Sequence, residues 1–248
     1  MWSEAFGSLG RGGGFVLPLF SFLLGLAMGS FYNVVIYRLP RGISLLRPPS
    51  SCPACGERIR PRDNIPLLSY VLLGGKCRNP ECRARIPFRY PLVEFLTGVL
   101  FAFSCFDALG RGSLPLFFRD SLFYSILLVV SFIDLDHRII PDELSLGGFV
   151  GGLLLEGLLV REYSNPAARM LFHLLGAGGT GSPLFGLNRW TLFSFVDSLA
   201  GAAVGGGLLL LTAVAYEKVR KIEGLGMGDV KLLLCVGAFL GPFGALLT

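Results

Sequence analysis

Histidine is nearly absent from this chain. His137 and His173 are the only two in 248 residues, both isolated, and outside four cysteines no spacing of His, Cys, Asp and Glu resembles a catalytic metal site. Serine-triad and catalytic-zinc hydrolysis therefore find no support. Charge is scarce as well: Asp, Glu, Lys and Arg make up 16% of the residues against 52% hydrophobic ones, with a mean hydropathy of +0.64. So few charges cannot clothe a globular surface, which excludes a soluble domain. No strand leads into a glycine-rich turn of the kind that cradles a nucleoside cofactor, so no cofactor pocket can be read from the chain.

What is present is a series of apolar runs near the roughly 20 residues needed to cross a bilayer: Gly14 to Ile36, Tyr90 to Leu109, Leu114 to Ile133, Leu144 to Val160, Thr191 to Tyr216 and Val230 to Leu247. These predict an all-α polytopic membrane protein of about six transmembrane helices. The first run is long and continues into Asn33-Val34-Val35-Ile36-Tyr37-Arg38 rather than a small-residue cleavage site, so it reads as a retained anchor. Between Tyr37 and Arg89 lie 11 of the 22 Lys and Arg residues. Placing that loop in the cytoplasm also brings Arg138, Lys218, Arg220, Lys221 and Lys231 inside, which satisfies the positive-inside rule. The pI near 9.0 thus follows topology, and the anionic inner leaflet is a sufficient partner for these cations, without nucleic acid.

Within the loop the cysteines form two pairs, Cys52-Pro53-Ala54-Cys55 and Cys77-Arg78-Asn79-Pro80-Glu81-Cys82. Thiols in a cytoplasmic loop stay reduced, and four thiolates match the tetrahedral preference of zinc. The pattern predicts a closed, structural site that knits together a loop too small to build its own core. Cys105 and Cys235 fall inside apolar runs and read as packing residues.

Two aspartates stand at membrane edges, Asp134 after the run ending at Ile133 and Asp229 before the run opening at Val230. With six spans both edges emerge in the cytoplasm. Ionisable groups at that depth are expensive, and a pair invites shared acid/base chemistry. Asp142 follows Pro141, where a helix-initiating cap belongs, and Asp136 stands beyond Asp134; both read as supporting residues. Gly226 and Gly228 let the backbone before Asp229 approach another helix or an extended peptide. Glu156, Asp197 and the Arg119-Asp120 pair lie toward the outer surface, where pairing or snorkelling accounts for them.

Taken together, Gly29-Ser30-Phe31-Tyr32-Asn33-Val34-Val35-Ile36-Tyr37-Arg38-Leu39-Pro40, the paired cysteines, Asn64-Ile65-Pro66, Arg89-Tyr90-Pro91-Leu92-Val93-Glu94, Asp134-Leu135-Asp136 with Ile140-Pro141-Asp142, and Gly226-Met227-Gly228-Asp229-Val230-Lys231 resemble the bacterial prepilin peptidases, or type IV prepilin leader peptidase/N-methyltransferases. The resemblance implies an aspartic protease of the inner membrane that cuts the short basic leader from prepilins and pseudopilins on the cytoplasmic side. In many members cleavage is followed by methylation of the new N-terminus from S-adenosylmethionine. Carried over by position, the catalytic aspartates fall on Asp134 and Asp229. Helix dipoles disfavour a carboxylate at a C-terminus and favour one at an N-terminus by roughly 0.3 to 1 kcal/mol, which assigns Asp229 the base and Asp134 the proton carrier.

Methylation rests on the resemblance alone; the loop with Asn33, Arg38 and Glu94 at its membrane ends is where such a site is expected. The domain reading is an anchor over 1–36, a cysteine-paired loop over 37–89 and a peptidase core over 90–248. Three features depart from the family: four residues rather than two inside the second cysteine pair, a long outer loop from Arg161 to Trp190, and an end at Thr248 where relatives carry further hydrophobic segments, which reads as a C-terminal truncation. The rival readings are a non-enzymatic assembly factor or ion- or proton-coupled transporter with a structural zinc loop, and a Gly-x-Gly-Asp protease with a different substrate.

Overall fold

The computed structural model describes residues 14–156, 189–221 and 226–248, with the side chains of 189–193 excepted. Among them every regular element is helical, and the paired backbone outside helices is limited to two isolated bridges, Ser51 with Arg58 and Lys76 with Arg85. In chain order the helices are α1 (Val16–Arg38), α2 (Leu68–Leu72), α3 (Arg89–Gly110), α4 (Leu114–His137), α5 (Asp142–Leu154), α6 (Arg189–Arg220) and α7 (Met227–Leu247). Five of these, α1, α3, α4, α6 and α7, are long and apolar enough to cross a membrane. The sixth expected span, Leu144 to Val160, is different: α5 has 13 residues, about 20 Å at 1.5 Å per residue, and the chain beyond Glu156 lies outside the described residues. His173 and most of the expected outer loop lie there too, while Arg189 and Trp190 already belong to α6.

Helix ends also depart from the apolar runs. The α4 helix continues past Ile133 to His137, so Asp134 and Asp136 both sit on helix; it stops at Arg138, whose φ of +54° is left-handed and whose N–H donates to Asp134 O at 2.7 Å. Pro141 occupies the cap position of α5, so Asp142 is its first residue rather than its cap. Gly226 caps α7, which places Asp229 in the first turn.

The chain forms two compact units: one holds residues up to Phe117 together with Leu127–Arg138, the other Phe118–Ile126 with Ile139–Thr248. In the first, α1 packs on α3 so closely that a Cβ at Gly29 would stand 2.6 Å from the Glu94 Cα. The small residue is what lets Asn33, one turn further on, reach α3 and donate to the Tyr90 carbonyl at 3.0 Å. In the second unit α6 and α7 meet at glycines, as membrane helices do when backbones touch. A Cβ at Gly237 would lie 2.2 Å from the Gly201 carbonyl oxygen, and Ser198 Oγ donates to the Ala238 carbonyl at 2.5 Å beside it. Further on, α7 bends at Gly241, with φ +70°, directly before Pro242.

Because the obstacle at Gly237 is backbone, Gly237→Ala is expected to destabilise the α6–α7 pair by about 1–3 kcal/mol. The measurement is thermal unfolding of the detergent-purified protein; an unchanged midpoint contradicts this packing.

The buried ions of the second unit are accounted for by pairing. Arg119 binds Asp120 at 2.7 Å and Glu156 at 2.9 Å, with Glu156 only 7% exposed. Cys105 and Cys235 are buried among apolar neighbours, as read from their runs.

Candidate active site and thiol cluster

The first unit's loop is built on two tight turns. Around Cys52 and Cys55, Cys52 N–H donates to Glu57 O and Gly56 N–H back to Cys52 O, with Gly56 at φ +74°. Around Cys77 and Cys82, Cys77 N–H donates to Ala84 O, and the two extra residues of this pair are absorbed by Asn79, whose side chain accepts from Glu81 N–H while its carbonyl accepts from Cys82 and Arg83. The longer spacing therefore does not spoil convergence: all four sulfurs lie within 4.8 Å of one another, with Cys52–Cys82 and Cys55–Cys77 both at 3.9 Å. Tetrahedral zinc with bonds near 2.3 Å requires sulfur–sulfur edges of about 3.8 Å. The donor set and its spacing fit a metal ion of that kind.

The thiols also ionise unequally. At Cys52 desolvation pushes the pKa up, but N–H groups of Cys55 and Ala54 and neighbouring thiols outweigh it and hold the group at about 7. At Cys55 the Glu57 N–H pulls down, yet desolvation and the three neighbouring sulfurs prevail and push it up to about 12. A bound dication would favour the thiolate form at these sulfurs.

Beneath the loop lies a cavity of about 670 Å³, bounded by the membrane ends of α1 and α3 and by loop residues; Asn33, Arg38, Glu94, Arg89 and Asp136 line it. The three residues expected at a methylation site therefore share one cavity. Arg38, although buried, is committed to structure: its guanidinium donates to the carbonyls of Ser44, Leu45 and Pro48 and folds the loop start back on α1. Glu94 accepts from Leu67 N–H at 2.8 Å. Asn33 Oδ1 and Arg89 Nε are buried without a hydrogen-bond partner among the described residues. Unsatisfied polar atoms in a concave site are costly unless a ligand or water serves them.

The four aspartates of the expected catalytic region separate by their partners. Asp136 is ion-paired with Arg89 at the start of α3. Asp142 is ion-paired with Lys231 at 2.7 Å. Asp134 and Asp229 are exposed, and within its own unit, among the described residues, neither side chain has an ion-pair partner. A cation beside a carboxylate lowers its proton affinity, which distinguishes Asp136 and Asp142 from Asp134 and Asp229. Gly226 and Gly228 flank this turn, with a Cβ at Gly228 reaching within 3.0 Å of Ile140 Cβ.

The pairing of Arg89 and Lys231 is not evident from the sequence, since their partners lie 47 and 89 residues away. A signal existed in their placement. Arg89 opens a helix and Asp136 sits in the last turn of another, each at the end where the macrodipole disfavours its sign, and each relieves the other. Arg89→Asp or Asp136→Arg alone replaces an attraction by a repulsion of like charges, which outweighs the gain against the helix dipole, and is expected to cost about 1 kcal/mol of stability; the double reversal restores the pair with each sign at the end that favours it and is expected to recover the loss in full, and a double-mutant cycle with no coupling would contradict the pair.

Such a fold and site define a multi-pass helical membrane protein with a thiol-clamped loop and unpaired aspartates at helix ends. Residues 23–108 match the family model described as the bacterial peptidase A24 N-terminal domain, and residues 121–248 match that of the type IV leader peptidase family. The chain is 38% identical over 232 residues to a prepilin leader peptidase/N-methyltransferase of Myxococcus xanthus, covering 92% of this chain and 58% of that protein. Enzymes of the same name from Klebsiella pneumoniae and Aeromonas hydrophila are 36% and 35% identical, with 86% and 72% of their lengths covered. The chain belongs to the type IV leader peptidase family, which cleaves the leader peptides of type IV prepilins. No solved structure matches it.

Proposed function

We propose that this chain is an aspartic endopeptidase of the bacterial inner membrane that removes the basic leader from type IV prepilins or pseudopilins at the cytoplasmic face, with Asp134 and Asp229 as the catalytic pair. Family membership supports the reaction class, the loop's Lys and Arg residues support the orientation, and one observation carries the choice of residues: neighbouring Asp136 and Asp142 are neutralised by Arg89 and Lys231, whereas Asp134 and Asp229 are not. The mechanism requires both carboxylates to reach one water molecule. The Asp229 carboxylate, in the first turn of α7, takes a proton from that water as its oxygen attacks the scissile carbonyl. Asp134, in the last turn of α4, gives its proton to the carbonyl oxygen. Collapse of the tetrahedral intermediate then breaks the C–N bond: the proton gained by Asp229 leaves with the new amine, and one hydroxyl of the intermediate returns its proton to Asp134 as the product carboxyl forms, which restores both groups.

The same reading keeps three regions: an anchor over 1–36, the loop over 37–89 and a peptidase core over 90–248. Zinc on Cys52, Cys55, Cys77 and Cys82 would supply a cross-link between the two hairpins. Methylation of the new N-terminus belongs to this proposal, with S-adenosylmethionine supplying an electrophilic methyl group when bound. The cavity suits that cofactor in size and in its unserved polar atoms, Asn33 Oδ1 and Arg89 Nε; Glu94, in the same wall, would accept from a donor group there.

The test is co-expression with a prepilin bearing a basic leader. A leader-sized mobility shift is expected, and mass spectrometry of the product's N-terminus reads out methylation. Absence of cleavage by protein that retains both aspartates and is correctly inserted would overturn the proposal.

A further inference from the structure

The short helix α2 has an apolar side that nothing in the first unit covers. Leu68 is 49% exposed, and Val71 and Leu72 are each 74% exposed; at i, i+3 and i+4 these three share one face. The opposite side is fixed inward. Ser69 is buried, accepts from Ile65 N–H at 3.0 Å and donates to the Arg62 carbonyl at 3.2 Å.

Depth is the second observation. The N–H of Leu67, immediately before α2, donates to the Glu94 carboxylate. Glu94 lies five residues into α3, a membrane-spanning helix that begins at Arg89, so it stands about 7–8 Å below the loop-side end of that span. A loop would ordinarily float clear of the surface. This one is drawn back along the span, and the drawing costs backbone strain: Leu67 adopts φ +57°, ψ −48°, a conformation side-chain-bearing residues avoid. The flanking charge has the matching sign, since Arg58, Arg60 and Arg62 just upstream are exposed, while the leaflet on the cytoplasmic side is anionic.

We propose that α2 is an interfacial element, seating Leu68, Val71 and Leu72 at the headgroup–acyl boundary of the bilayer the chain spans, with the upstream arginines on anionic headgroups. On the spanning helix α3, Phe95 and Phe103 are exposed to a similar degree, 48% and 57%. Insertion to that depth is characteristic of amphipathic segments that lie on a membrane. The consequence is a loop pinned at three places, by its two ends and by α2, so that the cavity under it keeps a fixed height above the bilayer. This inference holds whether or not the chain cleaves prepilins.

The test uses the full chain in liposomes containing phosphatidylglycerol, photolabelled once with a membrane-partitioned diazirine and once with a water-soluble one, with sites read by mass spectrometry. Val71 and Leu72 are expected to label like Phe103 with the apolar reagent and to be spared by the aqueous one; in Val71→Asp/Leu72→Asp the aqueous reagent is expected to take over on the α2 peptide. Aqueous labelling of the wild-type α2 at the level of the Cys52–Arg60 hairpin would overturn the proposal. Protection from both reagents would overturn it equally, by showing a protein surface, such as a second copy, on that face.

Discussion

Asparagine at Asp134 or at Asp229 is expected to lower prepilin cleavage by about 10²- to 10⁴-fold, each substitution sufficing alone. Asparagine preserves shape and hydrogen-bonding capacity but can neither hold nor release the proton that the reaction moves. Both side chains are exposed, so the fold loses little, within about 0.5 kcal/mol. The double variant is expected to be no slower than the singles, because neither proton transfer serves the reaction without the other and the two groups fail as a unit. Asp136→Asn and Asp142→Asn are the informative controls. They remove charge from the same helix ends but break ion pairs with Arg89 and Lys231, so a loss of stability near 1 kcal/mol and a smaller loss of rate are expected. Initial rates on a detergent-solubilised prepilin, set beside thermal midpoints for all five variants, measure this; a full rate in either catalytic single variant sinks the pair.

Those two aspartates stand out in the sequence because of cost. Carboxylates beside long apolar runs are rare enough to be noticed, and the runs themselves yielded the five spans. The run ends were less legible, because a hydropathy boundary marks where lipid stops, not where a helix stops: α4 carries Asp134, Asp136 and His137 in its last turn, and α6 begins at Arg189 and ends at Arg220. The cysteine hairpins were readable from pair spacing, including the wider second pair, whose slack is taken up by Asn79. Asn33, Arg38 and Glu94 could be named for one place because each ends or begins a span on the loop side, and they line one cavity. The ion pairs and α2 were not legible. Salt bridges between residues 47 and 89 positions apart leave no local pattern, and a five-residue helix is too short for a periodicity to declare itself.

Loss of one zinc ligand is the other change with a large expected effect. Cys52→Ser or Cys77→Ser is expected to bring bound zinc from one ion per chain to none in elemental analysis, and to open the loop to trypsin at its many arginines. The described ties between the two hairpins are few beside the thiol cluster: each hairpin closes on itself through its own turn and bridge, whereas small structural zinc modules gain an apparent ~10–16 kcal/mol from their metal at neutral pH. Cys52 and Cys82 come from different hairpins, as do Cys55 and Cys77, so one missing thiolate uncouples them. The cavity below shares Cys52, Ile59 and Cys77 in its wall, while Asp134 is carried by α4. Methylation should therefore fall further than cleavage. Acid should act in the same direction as the substitutions: metal uptake must displace the protons of Cys55 and Cys77, both of whose thiols are pushed up, so zinc affinity drops as pH falls. Cys105→Ser, on α3 and away from the cluster, is the control that should keep both zinc and loop intact. A Cys52→Ser protein whose loop resists trypsin as the wild type does would show that the hairpins hold without a metal.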